Sequence, residues 1–214
     1  MNIINQFKQT FPNFSLVTYI RQLEDNLDDC KTILDVGCGD ISPLRLLRGE
    51  YKLTGVDGYK PAIEASRKKG IHNEYKALDI KDLNKYFKNK SFDAVVALDV
   101  IEHLKKEEGY KFLNDLERIA KKRVILVTPN GFVDQHNNTN NLQEHLSGWS
   151  PNDFEKLGYK VYGIYGAKFL RKEEGSLALE PKAIWGIISE ITHYLITKHY
   201  PSWSFSQMAI KKIS

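Results

Sequence analysis

The chain has few cysteines and no long hydrophobic run, and each shortage excludes a class of protein. Two cysteines among 214 residues, Cys30 and Cys38, cannot build a disulfide framework and lack the partners that a structural zinc site needs. No stretch approaches the roughly 18 apolar residues of a membrane span. The first residues carry Asn, Gln and Lys where a signal peptide has its apolar core. These absences predict a cytoplasmic protein without a membrane span.

An excess of one charge sign is also missing. The 31 Lys and Arg residues against 27 Asp and Glu residues leave a formal net charge of +4. The basic clusters at 67–69 and 121–123 are short and scattered, so no strong signal for a nucleic-acid or anionic-membrane partner is present. The composition is that of an ordinary globular protein. The length predicts one domain, which we expect to span residues 1–214.

Short apolar runs alternate with amphipathic stretches through most of the chain. We predict strands, buried on both faces of a parallel sheet, at 32–36, 53–56, 75–78, 94–98 and 124–127. Between them, segments 61–69 and 107–120 carry apolar residues at helical spacing, and in the second we expect Tyr110, Leu113 and Leu116 to face the sheet. This alternation predicts an α/β fold, a Rossmann-like three-layer sandwich.

Three segments lie outside the alternation. Residues 1–30 are predicted to form an N-terminal helical segment. Residues 129–150 are polar and Asn-rich without a period, which is typical of a functional or mobile loop. Residues 165–201 form an insertion whose stretch 181–199 carries the apolar stripe of an amphipathic helix. Packing of that stripe on the protein's own sheet is the favoured interpretation, and a homodimer or membrane face is the alternative.

The strongest motif joins a predicted buried strand to a glycine turn. The strand 32–36 ends in an acid, Asp35, and two glycines follow at Gly37 and Gly39. Glycines at such a turn let the backbone approach a ligand that a Cβ atom would block. Pro43 suits the first turn of a following helix. Asp57 ends the next strand 20 residues after Gly37, the spacing at which an acid reaches the hydroxyls of an adenosine ribose.

Electrostatics decides between the two nucleotide ligands that fit this motif. A dinucleotide fingerprint has a third glycine where this chain has Ser42. The carboxylate of Asp35 would also repel a pyrophosphate, whereas it would attract the ammonium and sulfonium groups of S-adenosylmethionine. The motif therefore favours S-adenosylmethionine over NAD.

The sequence resembles the class I S-adenosylmethionine-dependent methyltransferases, and the ubiquinone-biosynthesis-type members (methyltransferase types 11 and 23) in particular. The motifs that carry the resemblance occur in order at 33–40, 92–104, 124–130, 149–159, 160–164 and 205–211. The resemblance implies a mostly parallel seven-stranded sheet with an antiparallel last strand. It also implies S-adenosyl-L-methionine as cofactor, bound by Asp35, Gly37, Cys38, Gly39, Asp57, Gly58, Asp79, Ile80, Leu98, Asp99 and Val100.

Two histidines are candidates for the chemistry of methyl transfer. Such an enzyme aligns the nucleophile with the methyl group, excludes water and, for a hydroxyl acceptor, removes a proton. His103 follows the fourth predicted strand and His145 precedes Trp149, so either is a candidate general base. For His136 plain exposure is the favoured interpretation. We expect methyl transfer to an oxygen, rather than a nitrogen or carbon, of a small-molecule acceptor.

Two other functions stay open. Asp99, Glu102, His103 and His145 together resemble the divalent-metal ligands of small-RNA 3′-terminal methyltransferases, although no basic, aromatic-rich RNA-binding extension is visible. This makes a metal-assisted RNA 2′-O-methyltransferase an alternative, while a site without metal is favoured. The other alternative is a non-catalytic module that binds the cofactor and uses 181–199 as a partner face.

Overall fold

The computed structural model describes residues 14–134, 143–172 and 175–213, with side chains from residue 18 onward. Its core is one seven-stranded sheet in the order β3-β2-β1-β4-β5-β7-β6. The strands are β1 Thr32–Val36, β2 Lys52–Asp57, β3 Glu74–Ala77, β4 Phe92–Leu98, β5 Ala120–Pro129, β6 Lys160–Ala167 and β7 Ser204–Lys212. Strands β1 to β5 pair in parallel, and β7 runs antiparallel to both β5 and β6. The predicted Rossmann-like α/β fold with an antiparallel last strand is confirmed.

Six α-helices connect or cover these strands in the described part of the chain. They are α1 Phe14–Leu27, α2 Lys60–Lys69, α3 Leu83–Tyr86, α4 Lys106–Ile119, α5 Pro151–Glu155 and α6 Lys182–Thr192. The helix expected after Pro43 is a single 3₁₀ turn, Pro43–Leu46, in which the Ser42 hydroxyl accepts from the Leu44 amide at 3.2 Å. That expectation was therefore wrong in length, because only the cap and the first turn form.

Both faces of the sheet are covered. On one face, Leu23 and Leu27 of α1 are fully buried within the cluster that contains Ile33. On the other face, α4 is buried through Phe112, Leu113, Leu116 and Ile119. Tyr110, which was expected to face the sheet, is 40% exposed and lies against the edge of Trp149 instead. The inward stripe begins at Phe112, two residues later than the pattern predicted.

The insertion predicted at 165–201 contains α6 and a π-helical turn, His193–Thr197. The expectation that its apolar stripe packs on the sheet is wrong: Ile184, Ile187 and Ile191 are each more than half exposed. The side that faces the protein carries polar residues, among them Ser189, Glu190, His193 and Thr197. None of the helices in the described ranges is long and apolar enough to cross a membrane.

Candidate active site

The strand order reverses beside β1, which lies between β2 and β4, and a crevice opens at the carboxyl ends of these strands. A cavity of about 760 Å³ occupies this crevice and is called the donor cavity below. All eleven residues predicted to contact a cofactor line it: Asp35, Gly37, Cys38, Gly39, Asp57, Gly58, Asp79, Ile80, Leu98, Asp99 and Val100. The predicted residues come from the ends of four separate strands, which the fold brings together in one crevice.

Gly37 and Gly39 shape the wall of the donor cavity. Both have a left-handed backbone, with φ of +72° and +58°, which favours glycine. A Cβ atom on Gly37 would lie 2.5 Å from Val100 Cγ2, whereas one on Gly39 would meet no protein atom within 4 Å. Gly37 is therefore required by the packing of the turn. Gly39 leaves open space where a ligand can approach the backbone.

Asp57 is fixed by the turn that it faces. Its Oδ2 accepts from the Gly39 amide at 2.9 Å, and its Oδ1 accepts from the Tyr59 amide at 2.7 Å. Each carboxylate oxygen keeps a second lone pair for another donor, such as a ribose hydroxyl. Asp79, at the end of β3, is exposed and accepts from the Lys81 amide at 2.9 Å.

The donor cavity is acidic. Among the described residues, its charged lining consists of Asp35, Asp40, Asp57, Asp79 and Asp99 against one cation, Lys81. This distribution attracts a cationic ligand and repels a diphosphate. It supports the preference for S-adenosylmethionine over NAD that Asp35 alone indicated.

A second cavity of about 540 Å³, called the acceptor cavity below, adjoins the first. Asp99, His103 and Gln143 line both. Its far wall comes from the insertion and β7, through Tyr165, Arg171, Gly175, Phe205 and Ser206. Arg171 was not predicted, because nothing in its local sequence places it beside Asp99 and His103, about 70 residues earlier.

Two carboxyl groups line the acceptor cavity, and one of them, Asp99, lines the donor cavity as well. Asp99 has a left-handed backbone (φ +55°), and desolvation by the surrounding protein raises the pKa of its carboxyl to about 6. Glu102 is 2% exposed, and its Oε2 accepts from Thr128 Oγ1 at 2.9 Å. Burial, followed by the nearby Asp99, raises the pKa of Glu102 well above its usual value. A proton on Glu102 removes the repulsion between the Glu102 and Asp99 carboxylates, and a bound cation would do the same.

The two predicted catalytic histidines meet in this region, with ring centroids 4.9 Å apart. His103 Nδ1 donates to the Glu144 carbonyl at 3.1 Å, and His145 Nδ1 donates to the Val133 carbonyl at 2.7 Å. Each ring therefore keeps an Nε2 lone pair available for a proton or a metal. Burial is the largest cause that lowers the pKa of His103, which favours the neutral imidazole. His136 lies outside the described residues.

The same groups form a set that can hold a metal ion. One ligand atom from each of Glu102, His103 and His145 lies within 4.8 Å of the others. Imidazoles that donate their other N–H to a backbone carbonyl are typical of metal ligands, because that bond fixes the tautomer and the ring orientation. Asp99 lines the same cavity. The donor types, imidazole and carboxylate, suit a divalent first-row ion.

Comparisons with known proteins agree with this arrangement. A family described as a methyltransferase domain matches residues 34–128. The chain is 25% identical over 169 residues to a small RNA 2′-O-methyltransferase of Tetrahymena thermophila, covering 66% of this chain and 40% of that protein. It is 26% identical over 148 residues to a ubiquinone biosynthesis O-methyltransferase of Rickettsia bellii, covering 66% and 61%. The chain thus matches less than two thirds of the length of either relative.

A solved structure matches nearly the whole chain. The crystal structure of a SAM-dependent methyltransferase from Archaeoglobus fulgidus covers 99% of this chain and 100% of its own, with a TM-score of 0.61 and 18% identity. At this identity the likeness concerns the fold.

Proposed function

We propose that the chain is a class I S-adenosylmethionine-dependent methyltransferase, an enzyme that transfers the methyl group to an oxygen of a small-molecule acceptor. The observation that carries the proposal is the pair of adjoining cavities with Asp99 and His103 in their shared wall. One cavity is acidic and suits the cationic donor. The other has a volume of about 540 Å³ and takes part of its wall from the insertion, which suits a small acceptor.

In the donor cavity each acid has a distinct role. Asp35 would bind the ammonium group of the methionine part, Asp57 the ribose hydroxyls and Asp79 the adenine amino group. Gly39 leaves room for the ligand beside the turn. When bound, S-adenosylmethionine supplies a methyl group activated by a cationic sulfur.

On the acceptor side, the chain positions a hydroxyl and removes its proton. His103 is held by its bond to the Glu144 carbonyl, so that Nε2 is the atom that takes the proton. His145, whose ring lies beside it, is the second candidate base.

Calorimetry with S-adenosylhomocysteine tests the proposed cofactor. We expect Asp57→Ala to weaken binding at least 10-fold, since it removes the ribose partner and releases the Gly39 turn. Asp115→Ala is the control, because Asp115 pairs with Arg118 one turn along α4 and does not line the donor cavity. An unchanged affinity of Asp57→Ala for S-adenosylhomocysteine would contradict the proposal.

A second candidate function is metal-assisted 2′-O-methylation of RNA. Two observations favour it: the convergence of Glu102, His103 and His145 within 4.8 Å, and the similarity to the Tetrahymena small RNA 2′-O-methyltransferase. In this case the two Nε2 atoms would hold a divalent ion rather than take a proton. The ion would supply a Lewis acid for the acceptor hydroxyl.

Metal titration separates the two candidates. Calorimetric binding of Mn²⁺ that is lost in His103→Ala and His145→Ala, and kept in the exposed control His199→Ala, supports the metal site. Activity that survives EDTA supports the general-base proposal. Comparing a short RNA with hydroxylated small molecules as acceptors then tests the substrate class.

The remaining features of the proposal concern the whole protein. We place it in the cytoplasm, where the buried, unpaired Cys30 and Cys38 would stay reduced. Residues 1–214 are proposed to act as one domain. The non-catalytic alternative would keep the donor cavity but show no turnover with any acceptor.

A further inference from the structure

A buried hydrogen-bond partner lies behind the acid of the glycine motif. Asp35 is 1% exposed, and its Oδ2 accepts from His72 Nε2 at 2.8 Å. The His72 side chain is fully buried. The sequence motif points to Asp35, but nothing in it indicates a partner 37 residues later, just before β3.

The fold makes room for this contact in a specific way. His72 precedes β3, and its ring passes Gly55 in the middle of β2 to reach Asp35 on β1. A Cβ atom on Gly55 would lie 2.9 Å from His72 Nδ1, so a larger residue there would displace the ring. The absence of a side chain at Gly55 opens the path between the two strands.

The far side of the ring is held as well. His72 Nδ1 lies 3.4 Å from Ser66 Oγ, and the His72 amide donates to Tyr75 Oη at 2.8 Å. The Tyr75 hydroxyl donates in turn to the Ser66 carbonyl at 3.1 Å, and its ring meets the imidazole edge to face. These contacts fix the rotation of the imidazole and therefore the direction of its Nε2–H.

We propose that His72 is a positioning residue that holds the Asp35 carboxylate toward the ammonium group of the methyl donor. With Oδ2 engaged by His72, Oδ1 is the oxygen left for the ligand, at a position that lines the donor cavity. Among the described residues no other hydrogen bond fixes the Asp35 side chain. The inference rests on the proposed function and adds the group that orients this carboxylate.

A purely stabilising role explains the arrangement less well. A buried polar pair of this kind is often matched or exceeded in stability by apolar residues of similar volume. Here the pair adjoins a ligand cavity, and it can form only because Gly55, in the middle of a strand, has no side chain. Around it lie the thiol of Cys38, the phenols of Tyr19 and Tyr75, and Asp57. The Cys38 thiol donates to the Gly39 carbonyl at 3.6 Å and the Tyr75 hydroxyl donates to the Ser66 carbonyl, so His72 is the group that donates to Asp35.

Two ligands distinguish a positioning role of His72 from a purely stabilising one. S-adenosylhomocysteine carries the ammonium group, whereas 5′-methylthioadenosine keeps the adenosine and the thioether but has no amino-acid part. We expect His72→Leu to weaken S-adenosylhomocysteine binding about 10-fold or more, and 5′-methylthioadenosine binding less than twofold. His72→Gln, whose amide can donate to Oδ2, should recover most of the lost affinity. The measurement is calorimetry of each protein with each ligand.

Each outcome has one meaning. Equal losses for both ligands, or no loss for either, would overturn the positioning role. If His72→Leu does not fold, Asp35→Asn and Tyr75→Phe test the same contact, and the same selective loss is expected, larger for Asp35→Asn. A wild-type protein that binds neither ligand would refute the proposed function itself, whereas wild-type binding with an indifferent His72→Leu refutes this inference alone.

Discussion

At the scale of single residues, Gly37 and Gly39 occupy one turn but serve different purposes. Both have positive φ, so an alanine at either position strains the backbone by about 1 kcal/mol. Only at Gly37 would the added methyl group also collide with the protein, at Val100. The methyl group on Gly39 would enter the space proposed for the ligand.

Alanine variants at these two positions should therefore differ in whether they mainly lose stability or mainly lose ligand binding. We expect Gly37→Ala to lose about 2–4 kcal/mol of unfolding free energy, since strain and overpacking add. Gly39→Ala should lose about 1 kcal/mol but bind S-adenosylhomocysteine at least 10-fold more weakly. Urea unfolding and calorimetry measure the two effects. Unchanged binding by Gly39→Ala would mean that the ligand does not approach this turn.

A second pair of glycines lies within helices. Gly109 in α4 is buried, and a Cβ atom there would lie 2.4 Å from Trp149 Cζ2. Gly186 in α6 would meet only Leu177 Cδ1, at 3.7 Å. Alanine is the better helix former by about 1 kcal/mol, while overpacking costs about 1–3 kcal/mol. We expect Gly109→Ala to destabilise the protein and Gly186→Ala to stabilise it by about 0.5–1 kcal/mol in urea unfolding.

The Gly109 variant also reports on the site. Trp149 is fully buried, stacks on Phe154, and follows the short segment that carries His145. A shift of its ring would displace that segment, so Gly109→Ala should lower turnover more than it lowers S-adenosylhomocysteine affinity. Equal stability of Gly109→Ala and the wild type would show that the Trp149 ring can move freely.

At the scale of secondary structure, the pattern of hydrophobic residues correctly predicted most of the strands and two of the helices. Four of the five parallel strands and helices α2 and α4 follow from runs and spacings within about two residues of their ends, whereas β5 begins at Ala120, four residues before the predicted run. The collection of Asp35, Asp57 and Asp79 at one edge follows because parallel strands bring their carboxyl ends together. Here local sequence and global fold agree.

The failures have equally specific causes. Periodicity defines a stripe on a helix but not which neighbour it meets, so the apolar face of α6 was assigned to the sheet although it points outward. The 3₁₀ turn at Pro43–Leu46 ends early although its cap is well formed. The Asp35–His72 contact crosses an intervening strand at Gly55, and no spacing rule along the chain reports such a path.

The turn after α6 carries an acid-sensitive residue. His193 is 2% exposed and neither ring nitrogen has a hydrogen-bond partner among the described residues. Burial, with smaller contributions from Lys198 and His199, lowers the pKa of His193 to about 4. The unfolded chain takes up this proton near pH 6.5, before the folded one does. Stability is therefore lost as the pH falls from about 6.5 to about 4.

The expected size of this loss is about 2 kcal/mol, from a difference of more than two pH units at 1.36 kcal/mol each, reduced for partial relaxation. In His193→Leu the unfolding free energy should fall less between pH 7 and pH 4.5 than in the wild type. The exposed His199→Leu removes only a minor contribution to this pKa shift, so its pH dependence should lie much closer to that of the wild type than to that of His193→Leu. Parallel pH dependence of all three proteins in urea would contradict the assignment.

At the scale of the whole molecule, exposed apolar surface is concentrated in one region. Ten of the sixteen exposed large hydrophobic residues in the described part lie between 169 and 203. Five of them follow the outer side of α6 and its π-helical turn: Ile184, Ile187, Ile191, Tyr194 and Leu195. A continuous patch of this kind on a helix marks an interaction surface rather than a solvated face. The polar inner side of the same helix packs against β6 and α1, where Glu190 accepts from Thr18 at 3.0 Å.

A second copy of the chain is the partner that we predict for this face. Two such helices packed across a twofold axis would bury both stripes at once, because a twofold interface uses the same patch on each subunit. Sedimentation velocity at about 5–100 μM should show a dimer that Leu195→Glu, at a 72% exposed position, converts to a monomer. The Leu195→Glu variant should still bind S-adenosylhomocysteine like the wild type, since no residue of α6 or its π-helical turn lines the donor cavity. A wild-type protein that sediments as a monomer throughout this range would refute the dimer, and the same variant with reduced turnover but normal cofactor binding would instead connect the face to the acceptor.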